Sequence, residues 1–294
     1  MVEPRKAKYK FIKKYNDKLD GQAQWTIVAM PSISWAKKMY PGLPADKAVK
    51  KLEKAIMHSI CLDEKDPFAS YDKHIKYLEA QAKKMNKYNF KTLHYTSSNG
   101  TDFTVDLHPD HQWCTAWEKQ KNGISSCVNM PTEEVFTHPD INSANGIVYA
   151  SKPLSYNGNL IEDFSITFEN GKAVKVKARK GQKQLEEMIK MDPGSCRLGE
   201  VALVPYDSKI NQIGTLFYNT LFDENAACHL ALGDGIAEAI KGHEKMNKKQ
   251  LKAKGVNDSM IHVDFMIGAK DTKIVGIKQN GKEVVVFDSG VWAI

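Results

Sequence analysis

The chain has few of the features that would place it outside the ordinary globular class. Among its 294 residues no apolar run approaches the length of a membrane-spanning helix. The opening "MVEPRKAKYKFIKKYNDKLD" has no apolar segment of the kind a signal peptide carries. A cytoplasmic protein without membrane partners is expected. Cysteine is scarce: Cys61, Cys114, Cys127, Cys196 and Cys228 are an odd set without a C-x-x-C pair. That excludes a disulfide framework and a zinc ribbon, and it fits free thiols in a reducing compartment. Internal repeats and low-complexity linkers are also missing.

What is present is ordinary in bulk, with 42% hydrophobic and 26% charged residues. The formal charge is +7. No basic motif interleaved with aromatics accompanies it, and lysines mix with acids along helical faces, as in "DKAVKKLEKAIMH". The excess is read as solvated surface, so no nucleic-acid partner is expected. The length suffices for one large or two medium domains.

The run "QWTIVAMP", residues 24–31, is short, apolar and β-branched and stops at proline, which predicts a buried strand. Two amphipathic helices are expected over about 45–61 and 67–88, then a strand in "FKTLHYT". Strand, helices, strand is the order of a parallel crossover. After residue 95 the texture changes. "SSNGTDFTVDL", "FENGKAVKV" and "KQNGKEVVVF" each set Asn-Gly between alternating runs, a hairpin signal. Short helices are expected near 182–191 and 248–254. The fold class is therefore α+β: a partial α/β region over 1–95, then an antiparallel β-rich domain over 96–294.

Chemistry can be sought where acids and imidazoles interrupt apolar or turn-like frames. In "NMPTEEVFTHP", Glu133 and Glu134 lie between prolines on a loop or short strand. In "RLGEVALVP", Glu200 precedes the strand-like "VALV". In "DSMIHVDFMIG", His262 and Asp264 are two apart, so on a strand they share a face opposite Ile261, Val263 and Phe265. Burying that pair alone is costly, and a divalent cation removes the cost. His229, in "NTLFDENAACHLALGDGI", reads either as a core histidine or as a further ligand. With Glu133 or Glu134 these groups make a mixed oxygen and nitrogen set suited to one or two ions such as zinc or cobalt. His108, His111 and His138 are expected on solvent-exposed loops, Cys228 is expected to point away from His229, and Trp113 and Trp117 can line a pocket or pack in the core.

Those same blocks, "NMPTEEVFTHP", "RLGEVALVPYDS", "LFYNTLFDENAACHLALG" and "NDSMIHVDFMIG", resemble the signature blocks of the thermophilic-type metalloaminopeptidases, the family of aminopeptidase T and aminopeptidase S. The likeness continues through "KPLSYNGNLIEDFSITFENGK" to the final "GVWAI". It implies a site for two divalent metal ions (zinc, cobalt, manganese or magnesium) held by Glu134, Glu200, His229, His262 and Asp264, with Glu200 bridging the ions or handling the water proton. It also implies peptide substrates that lose their N-terminal residue.

Two departures qualify the implication. Ile236 stands where the family carries a tyrosine thought to stabilise the tetrahedral intermediate, so weakened peptidase activity or an inactive metal- or peptide-binding descendant are both open. The family also carries a further N-terminal segment, so the α/β part here is expected to be a remnant whose exposed edges favour a homodimer.

Overall fold

Residue 15 and residues 24–120 and 123–294 are described by the structure, a computed structural model. Its contacts divide the chain into two compact units, Met1–Ala29 with Ala116–Met130, and Met30–Thr115 with Pro131–Ile294. The first unit holds a small hairpin of β3 (Trp117–Lys119) and β4 (Ser125–Cys127). Trp25, Ile27, Val28, Trp117 and Asn129 also belong to the first unit, and the strands, helices and candidate site residues described below belong to the second.

Three helices open the second unit: α1 (Ile33–Met39), α2 (Ala45–Ser59) and α3 (Pro67–Tyr88). Local chemistry sets the ends of α3. The Asp66 side chain accepts from Ala69 N, Pro67 occupies the first turn where no N–H is needed, and Asn89 closes the helix in the left-handed region at φ 49°. Along α2, Ala48, Leu52, Ala55, Ile56 and Ser59 form the buried stripe that helical spacing requires. Helix α1 was not expected from the sequence; Ser32 caps it by accepting from Trp35 N.

The strands of the second unit are β1 (Thr92–Thr96), β2 (Asp102–Asp106), β5 (Val135–Thr137), β6 (Asn145–Tyr149), β7 (Leu154–Tyr156), β8 (Asn159–Glu169), β9 (Lys172–Lys180), β10 (Leu198–Leu203), β11 (His229–Gly233), β12 (His262–Met266), β13 (Lys273–Ile277), β14 (Glu283–Asp288) and β15 (Val291–Trp292). Short helices α4 (Gln182–Ile189), α5 (Lys209–Gln212), α6 (Thr220–Asp223) and α7 (Lys248–Ala253) lie among them, with a 3-10 turn at Glu224–Ala226. Nine strands form one sheet in the order β15-β14-β13-β1-β2-β6-β8-β7, with β9 on β8; four form a second in the order β12-β11-β10-β5. The three expected Asn-Gly hairpins are all present, as β1–β2, β8–β9 and β13–β14. At Asn170-Gly171 both residues have positive φ, 50° and 79°, the conformation that a two-residue hairpin turn demands.

The first third needs correction. Residues 24–31 do not form a buried strand: Trp25, Ile27 and Val28 are 41%, 48% and 52% exposed, and Ile27 makes a single isolated bridge, to Asn129. Both neighbours of β1 are antiparallel, β13 and β2, so the expected parallel crossover is not made. An apolar β-branched run states a preference, but a strand also needs a partner for its backbone groups. The mixed α+β class stands, and β1, where the sequence texture changes, is an interior strand of the larger sheet.

Candidate metal centre

The four-stranded sheet presents two chemically opposite faces. Val135, Val201, Leu203, Leu230, Leu232, Val263 and Phe265 all belong to the hydrophobic core. Their neighbours alternate to the other side. There, Ala231 of β11 pairs with Glu200 of β10 on one side and Asp264 of β12 on the other, and His229 and Gly233 of the same strand pair with Ala202 and His262. Ala202 also pairs with Phe136 of β5, and Glu134 precedes Phe136 by two residues. Strand register thus brings Glu200, His229, His262 and Asp264 to one face, where Ala202 and Ala231 leave room between them, and Glu134, on the segment entering β5, reaches His229 from its edge.

The side chains converge. Glu134, Glu200 and His229 bring ligand atoms within 4.8 Å of one another, as do Glu200, His262 and Asp264, so Glu200 belongs to both groups. His229 Nε2 lies 3.1 Å from Glu134 Oε2, and His262 Nε2 lies 3.1 Å from Glu200 Oε2 and 3.2 Å from Asp264 Oδ1. Both rings turn Nε2 inward while a backbone carbonyl accepts from Nδ1: Ala227 O for His229 at 3.2 Å and Asp234 O for His262 at 2.7 Å. A ring whose Nδ1 proton is held in this way presents the Nε2 lone pair as a donor.

Burial makes the cluster demanding. The His229 side chain is 1% exposed and that of Glu200 4%, whereas that of His262 is 33% exposed. The His262 edge is therefore the side open to solvent. Burial and the neighbouring Glu134 and Asp264 charges, outweighing the His262 hydrogen bond, push the Glu200 carboxyl up to about 7. Burial pulls His229 down, but Glu134, Glu200 and Asp264 overcome it and hold the imidazole at about 9. His262 is likewise held well above its ordinary value, and in return its charge overcomes burial to keep Asp264 at about 2.

The sequence reading missed Glu224, at the start of the 3-10 turn. It is 9% exposed, and burial together with the charges of Asp264, Glu134 and Glu200 drives its carboxyl well above the ordinary range. Its sequence signal is weak, since it stands between Asp223 and Asn225 in a polar triplet five positions before His229, on a turn no pattern fixes. Glu134, Glu200, Asp264, His229 and His262 thus converge, buried except at the His262 edge, with the buried Glu224 near enough to feel three of their charges, and the buried Asp264 Oδ1 receives no well-formed hydrogen bond. Unpaired charge at that density is costly, and divalent cations, for which this donor set is suited, remove the cost.

Glu133, the alternative to Glu134, stays outside the cluster. Its backbone N–H donates to Asn225 Oδ1 at 2.6 Å, its carboxylate lies 3.8 Å from His74 Nε2, and burial, opposed by Lys209, pushes it up to about 7. His108, His111 and His138 are not exposed, as expected from their loops, but 5%, 4% and 0% accessible. Backbone groups satisfy them there: His108 contacts Lys254 O, His111 contacts His108 O and His138 contacts Pro139 O. Trp113 is core and Trp117 is 40% exposed, while the Cys228 thiol donates to Val204 O.

Residues 1–292 match the profile of the thermophilic metalloprotease (M29) family. The chain belongs to this M29 family. Aminopeptidase AmpS of Bacillus subtilis is 44% identical over 272 residues, covering 92% of this chain and 66% of the relative. Aminopeptidase T of Thermus aquaticus is 41% identical over 270 residues, covering 92% and 65%. Among solved structures, wild-type AmpT from Thermus thermophilus superposes with a TM-score of 0.84 at 38% identity, over 92% of this chain and 65% of that one. The chain thus spans just under two thirds of the length of these M29 relatives. A 2,5-dihydroxypyridine dioxygenase from Pseudomonas putida shares the fold at 14% identity and a TM-score of 0.52. Among the described residues no helix is long and apolar enough to cross a membrane.

Proposed function

We propose that the chain is a metal-dependent aminopeptidase that releases N-terminal amino acids from peptides, with two divalent ions held by Glu134, Glu200, His229, His262 and Asp264. The observation that carries this reading is Glu200: it alone belongs to both ligand groups, the position a carboxylate shared by two ions would take. Glu224, buried and close enough to feel the charges of Asp264, Glu134 and Glu200, lies outside both ligand groups and is a further oxygen donor to be tested beside them. Zinc, cobalt, manganese and magnesium are all compatible with these donors. The ions, when bound, polarise a carbonyl and acidify water.

The protein's own groups divide the remaining work. His229 and His262 present Nε2, their Nδ1 protons fixed on carbonyl oxygens. Glu200, common to the two groups, is read either as the carboxylate the two ions would share or, with one oxygen off the ions, as the group that would hold the proton leaving the attacking water and return it to the departing amine. The open His262 edge is the side from which a peptide end enters, and the core-facing sheet excludes water from the other. The exposed apolar residues Trp25, Ile27, Val28, Met30 and Ile33 support the expectation of a homodimer.

Ile236 favours a second reading, an inactive metal- or peptide-binding descendant. It follows β11 closely, at the position where the resemblance places a tyrosine hydroxyl. Loss of one such donor costs a factor of about 10² to 10³ in rate. Purified protein is to be assayed for bound metal and for release of N-terminal residues, with Glu200→Ala and Ile236→Tyr alongside. Two ions and hydrolysis that Glu200→Ala abolishes support the enzyme. Metal without hydrolysis, unchanged by Ile236→Tyr, supports the descendant in its metal-binding form; absence of metal refutes the enzyme and that form, and leaves peptide binding to be measured directly.

A further inference from the structure

His229 and His262 are oriented by different means. The His229 ring is 1% exposed and packing confines it; the His262 side chain is 33% exposed, and besides the Glu200 and Asp264 oxygens that a metal would displace from Nε2, its direction is set by the 2.7 Å hydrogen bond from Nδ1 to Asp234 O. What fixes Asp234 O therefore fixes His262. The Gly233–Gly235 turn that carries this carbonyl is anchored by Gly233 N to Arg197 O at 2.8 Å and Asp234 N to Ile261 O at 2.6 Å, and its two ends are joined by one residue, Asn257. Its Nδ2 donates to Gly233 O at 2.6 Å, and its main-chain carbonyl accepts from Gly235 N at 2.9 Å.

The same Nδ2 reaches Gly194 O at 2.9 Å and Arg197 O at 3.4 Å, so Asn257, 5% exposed, ties together three loops around the ligand face. Its own N–H lies 3.3 Å from His138 Nε2. Those loops approach one another too closely for side chains: a Cβ on Gly194 would meet Asp258 O at 2.4 Å, and one on Gly233 would meet Ile261 O at 2.0 Å. Carbonyl oxygens converging on one buried point need a donor that also has the reach of a short side chain. A carboxylate there would repel them, and an apolar group would leave them unsatisfied.

We propose that Asn257 is a positioning residue of the metal centre, holding the Gly233–Gly235 turn so that Asp234 O aims the His262 Nε2 at Glu200 and Asp264. The inference rests on the reading of that cluster as a metal site. Partners of this kind, one step removed from the ligands, typically change metal affinity by about 10- to 100-fold when removed. The larger effect is expected on the group containing His262, because among the described residues Asn257 makes no hydrogen bond to Glu134 or His229 themselves.

The test is a titration of the full chain with cobalt(II), followed by visible absorption, for the wild type, Asn257→Ala and Asn257→Ser, with the His262 Nδ1–H followed by nitrogen-15 NMR in the metal-free proteins. The expected result is that Asn257→Ala keeps one equivalent of cobalt at wild-type affinity, weakens the other by about 10- to 100-fold and loses the protected His262 Nδ1–H signal. Asn257→Ser, which keeps one hydroxyl donor, falls between, and it carries the test if Asn257→Ala does not fold. Two equivalents bound as in the wild type, or both weakened alike, would overturn the proposal. A wild type that takes up no cobalt defeats the metal reading itself, and the persistence or loss of the His262 ring signal then decides the role of Asn257 by itself.

Discussion

Gly235 and His138 share one space: a Cβ on Gly235 would stand 2.2 Å from the imidazole Nε2. The ring cannot easily withdraw, because it is fully buried, contacts Pro139 O at 2.6 Å through Nδ1 and lies 3.3 Å from Asn257 N through Nε2. Gly235→Ala is therefore expected to destabilise the protein by about 1–3 kcal/mol, the usual range for overpacking. His138→Ala opens the space, so the double variant should recover most of the loss caused by Gly235→Ala. Chemical denaturation of the four proteins gives the cycle, and simple additivity would show that the two sites do not compete for volume.

Acid–base behaviour of the metal-free protein follows from the same cluster. Glu200 is held at about 7 against an ordinary 4.5, and His229 at about 9 against 6.5. Both folded values are raised, so the folded state binds protons more tightly than the unfolded chain. Stability is then greatest below the ordinary values and falls as pH rises through about 7 for Glu200 and about 9 for His229. Thermal unfolding across that window should show melting temperature falling as pH rises. Metal replaces those protons, so its apparent affinity should rise over the same interval. A flat profile without metal would mean that the carboxylates are compensated by some other route.

The buried Asn225 offers a separate test of how Glu134 is placed. Its Oδ1 accepts from Glu133 N at 2.6 Å and its Nδ2 donates to Leu221 O at 3.0 Å. It thus ties the segment entering β5 to α6 just before the 3-10 turn that bears Glu224. Asn225→Ala leaves a buried N–H and a buried carbonyl without partners, at a cost of about 1–3 kcal/mol. Metal affinity should fall with it, since Glu134 and Glu224 lose a common support. Stability lost without any change in metal binding would make Asn225 a purely structural link.

Much of this site was legible in the sequence, for identifiable reasons. His262 and Asp264 share a face because strand period is two, and that period needs no tertiary knowledge. Asn-Gly turns define their hairpins locally, as Asn170-Gly171 does. Residues 24–31 failed because strand preference does not supply a strand partner. His138 was expected on the surface because proline marks loops, yet its burial depends on Gly235 and Asn257, which lie far along the chain. Glu224 was invisible for a similar reason: its environment is made by Asp264, Glu134 and Glu200, each from a different strand or loop.

Glu224 also yields the prediction with two opposite signs. In the metal-free protein it is buried and feels the charges of the cluster carboxylates Glu134, Glu200 and Asp264, and that burial and those charges disfavour its ionised form. Glu224→Gln keeps the shape while removing an ionisable group, so it should leave the metal-free protein as stable as the wild type or more so, most visibly at high pH where the repulsion is greatest. With divalent metal the order reverses, because the variant lacks one negative oxygen donor and gains less on binding. The check is a melting-temperature difference between variant and wild type measured in chelator and again in saturating metal. A variant less stable by the same amount in both conditions would place Glu224 among the purely structural residues and remove it from the ligand set.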